Sequence, residues 1–194
     1  MVEQLSSRRK EAVIYGTLAM LYSSAKRFDD ACEHYGQAIE RAREVQDLSY
    51  HAVLEGNWGT LLMRHGDLNA AQDKLDRAIN TCDGIWPAGA GSFRGALAQV
   101  RALQGDIDTA HALLSRGKEQ LVDINIPALG IHYLYWAEVE HIAGDAEARN
   151  HALSEARTVE ALLSKDGPTE LTRQIAESEA RMGVHPIPPQ ISSN

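Results

Sequence analysis

The chain has 194 residues, of which 44% are hydrophobic, enough for one domain with a sizeable core or for two small ones. It carries 27 acidic residues against 19 basic ones, so a broad basic surface for nucleic acid is not expected. No apolar run reaches the roughly 18 residues of a membrane helix, and Cys32 and Cys82 form neither a CxxC pair nor a disulfide framework, which favours a reducing, cytoplasmic setting.

Four stretches of the chain repeat one pattern, a short polar corner followed by a helix. When the four stretches are aligned, the corner position is occupied by Lys26, Gly66, Gly105 and Gly144. These residues are 40, 39 and 39 positions apart. A fixed period of this size is typical of a solenoid built from stacked units. Each unit has two apolar helical patterns on either side of the corner, so each is predicted to be an antiparallel helical hairpin.

The four units cover about residues 12–45, 52–85, 91–124 and 130–164. In the first helix of each unit a large side chain precedes a small one, at Leu18-Ala19, Trp58-Gly59, Leu97-Ala98 and Trp136-Ala137. The second helix has small residues seven positions apart with a large one between, as in Ala31, Tyr35 and Ala38. This pattern predicts close packing of neighbouring helices, although Arg149 replaces the first small residue of the fourth unit.

The segments between units are predicted to be loops, and the third unit follows a cluster of glycines. This cluster, "GAGSFRG" (Gly89 to Gly95), has Arg94 where a dinucleotide-binding turn needs glycine, and it lacks the GK[ST] of a phosphate loop. It is therefore predicted to be a flexible loop between repeats, capped by Ser92.

A proline-started segment at 168–183 follows the fourth unit and is predicted to be a ninth helix that caps the stack. Residues 1–183 then form a single domain, and "VHPIPPQISSN" at 184–194 is predicted to be a flexible tail. The "PIPP" motif in that tail leaves a polyproline-type binding role as a weaker alternative.

A second column of glycines lies inside the first helices of three units, at Gly16, Gly56 and Gly95. Glycine costs about 1 kcal/mol relative to alanine in a helix interior, so some close approach is expected to offset that loss. Two interpretations stay open: the glycines allow helices to pack closely, or they form a groove floor without side chains. Leu134 occupies this column in the fourth unit and is expected to narrow such a groove.

Catalytic and metal-binding constellations are not evident in the sequence. The eight histidines show no HExxH motif, and they are predicted to be surface or interface residues. His132 and His141 are expected to face different sides of one helix. We therefore expect neither enzymatic activity nor a metal or cofactor.

The period, the Gly-Asp corners and the small-residue columns resemble the tetratricopeptide repeat (TPR) family over about residues 12–164. The 39–40-residue units are longer than usual for the family and are similar to those of kinesin light chains and of bacterial signalling proteins. The resemblance implies an all-α, right-handed α-solenoid of four hairpins plus a C-terminal capping helix. It also implies a concave groove lined by the first helices, with these candidate partner-binding residues: Val13, Met20, Ser24, Val53, Thr60, Arg64, Ser92, Gln99, Leu103, Ile131, Glu138 and Ile142.

These considerations favour a non-enzymatic module that binds a protein or peptide, with bacterial signalling or regulation as the setting. The carboxylate-clamp subclass needs Lys, Asn and Arg in columns that contain Gly16, Met20, Thr60, Gly95 and Gln99 here, so recognition of an acidic chaperone C-terminus is not expected. No nucleic acid or membrane partner is predicted. Two alternatives are a ligand-sensing module fused to an effector and a self-assembling protein, for which a homodimer is one possible form.

Overall fold

The computed structural model describes residues 2–165 and 167–184 and confirms an all-α, solenoid-like fold. Residues 185–194, most of the predicted tail, lie outside the described residues. Within the described ranges there are nine helices and no strand: α1 (Val2–Ser24), α2 (Phe28–Glu44), α3 (Leu48–His65), α4 (Leu68–Ile85), α5 (Pro87–Leu103), α6 (Ile107–Leu121), α7 (Ile126–Ala143), α8 (Ala146–Leu163) and α9 (Glu170–Met182).

Consecutive helices pair as hairpins: α1 packs on α2, α3 on α4, α5 on α6 and α7 on α8. Each hairpin then stacks on the next, and α9 packs against α7 and α8 at the end of the stack. Small residues permit these contacts, since Ala31, Ala71 and Ala110 are fully buried in the second helices. A chain of local contacts along the sequence is the arrangement that the repeat pattern predicted.

Two residues with separate roles make the corner in three of the hairpins. Gly66, Gly105 and Gly144 have φ angles of 93°, 87° and 81°, a left-handed conformation that glycine adopts without strain. The residue after each glycine is an aspartate that caps the second helix by accepting a hydrogen bond from a backbone N–H, at Asp67, Asp106 and Asp145.

The corner of the first hairpin is built differently. Lys26 occupies the position of the glycine and has a φ of 59°, so a lysine adopts the left-handed conformation there. Arg27 stands at the cap position of α2 and makes no side-chain cap hydrogen bond. The left-handed conformation costs a residue with a Cβ about 1–2 kcal/mol, so this corner is less stable than the other three.

The connections between hairpins are shorter than the sequence analysis predicted. Helices α3, α5 and α7 begin at Leu48, Pro87 and Ile126, about one helical turn before the predicted starts of their units. Residues interpreted as loop therefore belong to the first helices. The long repeat period lengthens these helices and leaves the connections short.

The prediction that Gly89 to Gly95 form a flexible loop is wrong, because α5 begins at Pro87 and runs through the whole segment. Proline is well suited to the first turn of a helix, where its missing N–H is not needed. Ser92 does not cap the helix, because its Oγ donates a hydrogen bond to the Ala88 carbonyl oxygen at 3.0 Å, inside the helix.

Gly91 of this segment allows α5 to lie close to α6. A Cβ added to Gly91 would lie 2.9 Å from the carbonyl oxygen of Gly117, so no larger residue fits there without a shift. Arg94, only 2% exposed, donates a hydrogen bond to Asp83 at 2.9 Å and a second one to Gln120. The hydrogen bonds from Arg94, and a weaker effect of the Gln120 amide, which donates to Asp83 at 3.0 Å, hold the pKa of the Asp83 carboxyl below its usual range. Arg94 is thus a buried structural residue that pairs with the half-buried Asp83.

Candidate functional site: a groove between the first helices and α9

The glycine column lies at contacts between the first helices of neighbouring hairpins. A Cβ added to Gly16, Gly56 or Gly95 would lie, respectively, 2.3 Å from the Tyr50 hydroxyl, 2.2 Å from Phe93 Cε1 and 2.6 Å from Tyr135 Cδ2. An aromatic side chain of the next hairpin therefore fills the space that a side chain would need. This geometry favours close helix packing over an open groove floor.

A cavity of about 590 Å³, here called the central groove, lies between the first helices and α9. Its wall combines apolar, polar and charged side chains from five parts of the fold. The lining residues are Lys26, Met63, Arg64, Gln99, Leu103, Ile131, Leu134, Tyr135, Glu138, Gln174, Glu177 and Arg181. A cavity of this size with a few polar groups is typical of a binding site.

Five of the candidate residues named from the sequence line the central groove: Arg64, Gln99, Leu103, Ile131 and Glu138. They come from α3, α5 and α7, so the cavity is centred on the second to fourth hairpins. Leu103 is 47% exposed and offers an apolar surface at the end of α5.

The other seven candidates do not line this cavity. Val13, Met20 and Ile142 are exposed elsewhere, and Val53 is half-buried. The hydroxyls of Ser24, Thr60 and Ser92 donate hydrogen bonds to carbonyl oxygens of their own helices. Of these seven, Ser24 lines the neighbouring cavity described below, and the other six do not.

Glu138 connects three helices at the bottom of the central groove. It is 8% exposed and accepts a hydrogen bond from the Ser178 hydroxyl at 2.7 Å. Its carboxylate also accepts hydrogen bonds from the Gln99 amide on α5 and from the Arg181 guanidinium on α9. A buried carboxylate needs such partners, so these contacts tie α9 to α5 and α7.

Tyr135 stands beside this carboxylate and presents a ring to the groove. Burial raises the pKa of the Tyr135 hydroxyl, while the charge of Arg64 and the hydroxyl of Thr60 oppose that shift. The phenol is therefore neutral at physiological pH, and it can donate or accept a hydrogen bond.

A second cavity of about 600 Å³, here called the turn cleft, adjoins the central groove. One wall comes from the first two hairpins and the other from α9: the lining residues are Ser23, Ser24, Lys26, Phe28, Leu61, Arg64, His65, Arg173, Gln174 and Glu177. Lys26, Arg64, Gln174 and Glu177 line both cavities. The two cavities thus lie side by side and share part of their walls; together they are called the hollow below.

Sequence reasoning missed the contribution of α9, which it treated only as a cap. Leu171, Ile175 and Met182 bury one face of α9, and the charges of the other face point into the hollow. The spacing of Arg173, Glu177 and Arg181 at four-residue steps was a signal for such a polar face. Tyr135 was missed as well, because its column carries no repeated residue type.

His132 contradicts the prediction that the histidines are surface or interface residues. It is 1% exposed, and its Nε2 donates a hydrogen bond to the Leu114 carbonyl oxygen at 2.8 Å. Burial lowers the pKa of His132 to about 4, so the ring is neutral at physiological pH. His141 is exposed, so the two residues do face different sides of α7.

The described residues contain no cluster of three or more His, Cys, Asp or Glu side chains arranged to hold a metal ion. In the same residues, none of the helices combines the length and the apolar character that crossing a membrane requires.

Paired antiparallel helices stacked in sequence order define a TPR-like helical repeat fold. No protein-family model and no curated protein matches the chain. Among solved structures, the crystal structure of BtubC (BKLC) from P. vanneervenii is similar to this chain, with a TM-score of 0.62. The match covers 94% of this chain and 69% of BtubC at 19% sequence identity, and at that identity it supports the fold alone.

Proposed function

We propose that the protein is a non-enzymatic binding module whose central groove holds a peptide segment of a partner protein. The observation that carries this proposal is the wall of the groove, where Leu103 and Ile131 lie in the same cavity as Arg64, Gln99 and Tyr135. Apolar side chains bury the hydrophobic groups of a peptide, and the polar ones pair with its backbone and side chains. The TPR-like fold is consistent with such a role.

A regulatory setting in bacteria is part of the same proposal. It rests on the resemblance of the 39–40-residue units to those of bacterial signalling proteins. A groove that holds a peptide would allow the module to recruit one protein to another.

The test is to select short peptides from a random display library on the full chain and to measure their affinity by titration calorimetry. We expect the double variant Arg64→Ala, Gln99→Ala to bind a selected peptide about 1–3 kcal/mol more weakly, because two polar contacts of the groove are lost. The helical circular-dichroism signal should stay unchanged, since Arg64 is exposed, Gln99 is only half-buried, and Glu138 keeps Ser178 and Arg181 as partners.

The matched control is Asp73→Ala on α4, whose side chain is 54% exposed and pairs with Arg77. This variant should bind as the parent does. Failure to select any peptide, or equal affinity in the parent and the groove variant, would argue against the proposal.

A further inference from the structure

The first corner keeps a lysine in a conformation that glycine adopts more easily. The other three corners use glycine, and Lys26 alone among the four corner residues carries a side chain there. The Lys26 side chain lines both the turn cleft and the central groove. Gln46 and Asp123, in connections between hairpins, have similar φ angles of 55° and 62°, so it is the place of Lys26 in the walls of both cavities that distinguishes it.

The turn cleft is positive although the protein carries a formal charge of −8. Three cations, Lys26, Arg64 and Arg173, face it, against the single carboxylate of Glu177. Glu177 is already paired with Arg173, which also pairs with Glu170. Among the described residues, the ion pairs at this cleft join Arg173 to Glu170 and Glu177, and none includes Lys26 or Arg64.

We propose that the turn cleft binds an acidic side chain of a partner peptide, with Lys26 and Arg64 contacting its carboxylate. The charges decide the chemistry of the occupant: two cations without partners in a concave, partly apolar site attract an anionic group and repel a cationic one. Leu61 and Phe28 lie in the same cleft and can contact an apolar neighbour of the acidic residue. This inference rests on the proposed function and names the partner's chemistry.

The experiment uses the peptides selected on the full chain. We expect them to contain more Asp and Glu than the unselected library, and to bind more weakly as the salt concentration rises. Replacement of the acidic residues of one selected peptide by Gln or Asn should lower its affinity for the native protein about tenfold, because a charge-assisted contact is lost.

Variants of the protein give an independent measure. Lys26→Gly restores the residue of the other three corners, so we expect this variant to melt at a higher temperature and yet to bind the acidic peptide more weakly. The double variant Lys26→Gly, Arg64→Ala should lose about tenfold in affinity and most of the salt dependence. The control is Lys10→Ala, Arg149→Ala, which removes two positive charges that do not line the cleft and should leave the affinity unchanged.

The possible outcomes separate this inference from the proposed function. If peptides are selected without an excess of acidic residues, or if the cleft variant binds them as the parent does, the inference is wrong while the groove proposal stands. If no peptide is selected, both fail. If light scattering shows a dimer of the chain that the cleft variant cannot form, the occupant is an acidic segment of a second copy and the proposed partner is wrong.

Discussion

At the scale of single residues, Gly56 has the least space for a side chain among the three glycines of the column, because Phe93 packs against it. A Cβ on Gly56 would lie 2.2 to 2.5 Å from three ring atoms of Phe93, which is 9% exposed and packed in a core cluster. The ring cannot move away freely, because its neighbours in the cluster are buried as well.

We predict that Gly56→Leu lowers the free energy of unfolding by at least about 1–3 kcal/mol, the usual range for overpacking a tight core. Chemical denaturation followed by circular dichroism measures this change. Gly36→Leu is the matched control, because Gly36 lies in α2 with no atom within 4 Å of an added Cβ. A midpoint unchanged in Gly56→Leu would show that the contact with Phe93 is absent.

His132 gives a prediction about pH. The ring is neutral in the folded protein down to a pKa of about 4, whereas in the unfolded chain it takes up a proton near pH 6.5. Between these values the unfolded state binds more protons, so acidification favours unfolding. His132 alone should lower the free energy of unfolding by about 3 kcal/mol as the pH falls from 7 to 4, and it should have no effect above pH 7.

The comparison of two variants isolates this effect. His132→Gln should be less stable than the parent at pH 7 but should lose less stability on acidification, whereas His141→Gln should follow the parent. Burial also lowers the pKa of His51, but its contribution is common to all three proteins and cancels in the comparison. Denaturation midpoints at several pH values between 4 and 7 provide the measurement. Parallel curves for the parent and His132→Gln would contradict the assignment.

At the scale of elements, α9 has two functions, since one face covers the last hairpin and the other lines the groove. Leu171 fits against Gly130 and Val159, where a Cβ on Gly130 would lie 2.4 Å from the Leu171 Cδ2 atom. Thr172 donates a hydrogen bond to Glu160 at 2.7 Å, and Arg157 pairs with Glu179. Apolar and polar contacts therefore hold α9 to both α7 and α8.

We predict that a chain lacking residues 168–194 aggregates, because the apolar face of the fourth hairpin becomes exposed and the buried Glu138 loses two of its partners. A chain lacking only residues 185–194 keeps α9 and should remain monomeric. Light scattering on the two truncated proteins gives the answer. A soluble, monomeric, fully helical 1–167 fragment would show that α9 is not needed to cover the stack.

The elements also show what the sequence could predict. The helical hairpins and their corners followed from features that recur along the chain, because periodicity reports the contacts that each unit repeats. The ninth helix followed from a proline-started segment and from the apolar face that the end of a stack must cover. The helical state of Gly89 to Gly95 was missed, because glycine clusters indicate loops unless tertiary contacts compensate, as they do here at Gly117. Local propensity was overridden by packing.

At the scale of the whole molecule, the candidate site depends on residues that do not repeat. Glu138 and Arg181 pair across 43 positions of the sequence, and the turn cleft combines Lys26 of the first hairpin with Gln174 and Glu177 of α9. Nothing in a periodic pattern specifies how far a stack curves, so it could not predict that these residues share a cavity. The predicted list of groove residues therefore contained five of the eight members from α3, α5 and α7 and lacked all of those from α9.

The contacts between the glycine column and the aromatic residues have a fixed direction along the chain. Each glycine of the column precedes the aromatic residue that fills its place, in the order Gly16 and Tyr50, Gly56 and Phe93, Gly95 and Tyr135. During synthesis the glycine therefore leaves the ribosome before the aromatic residue that packs against it. Each hairpin can therefore dock onto the preceding one as soon as its own first helix has been synthesised.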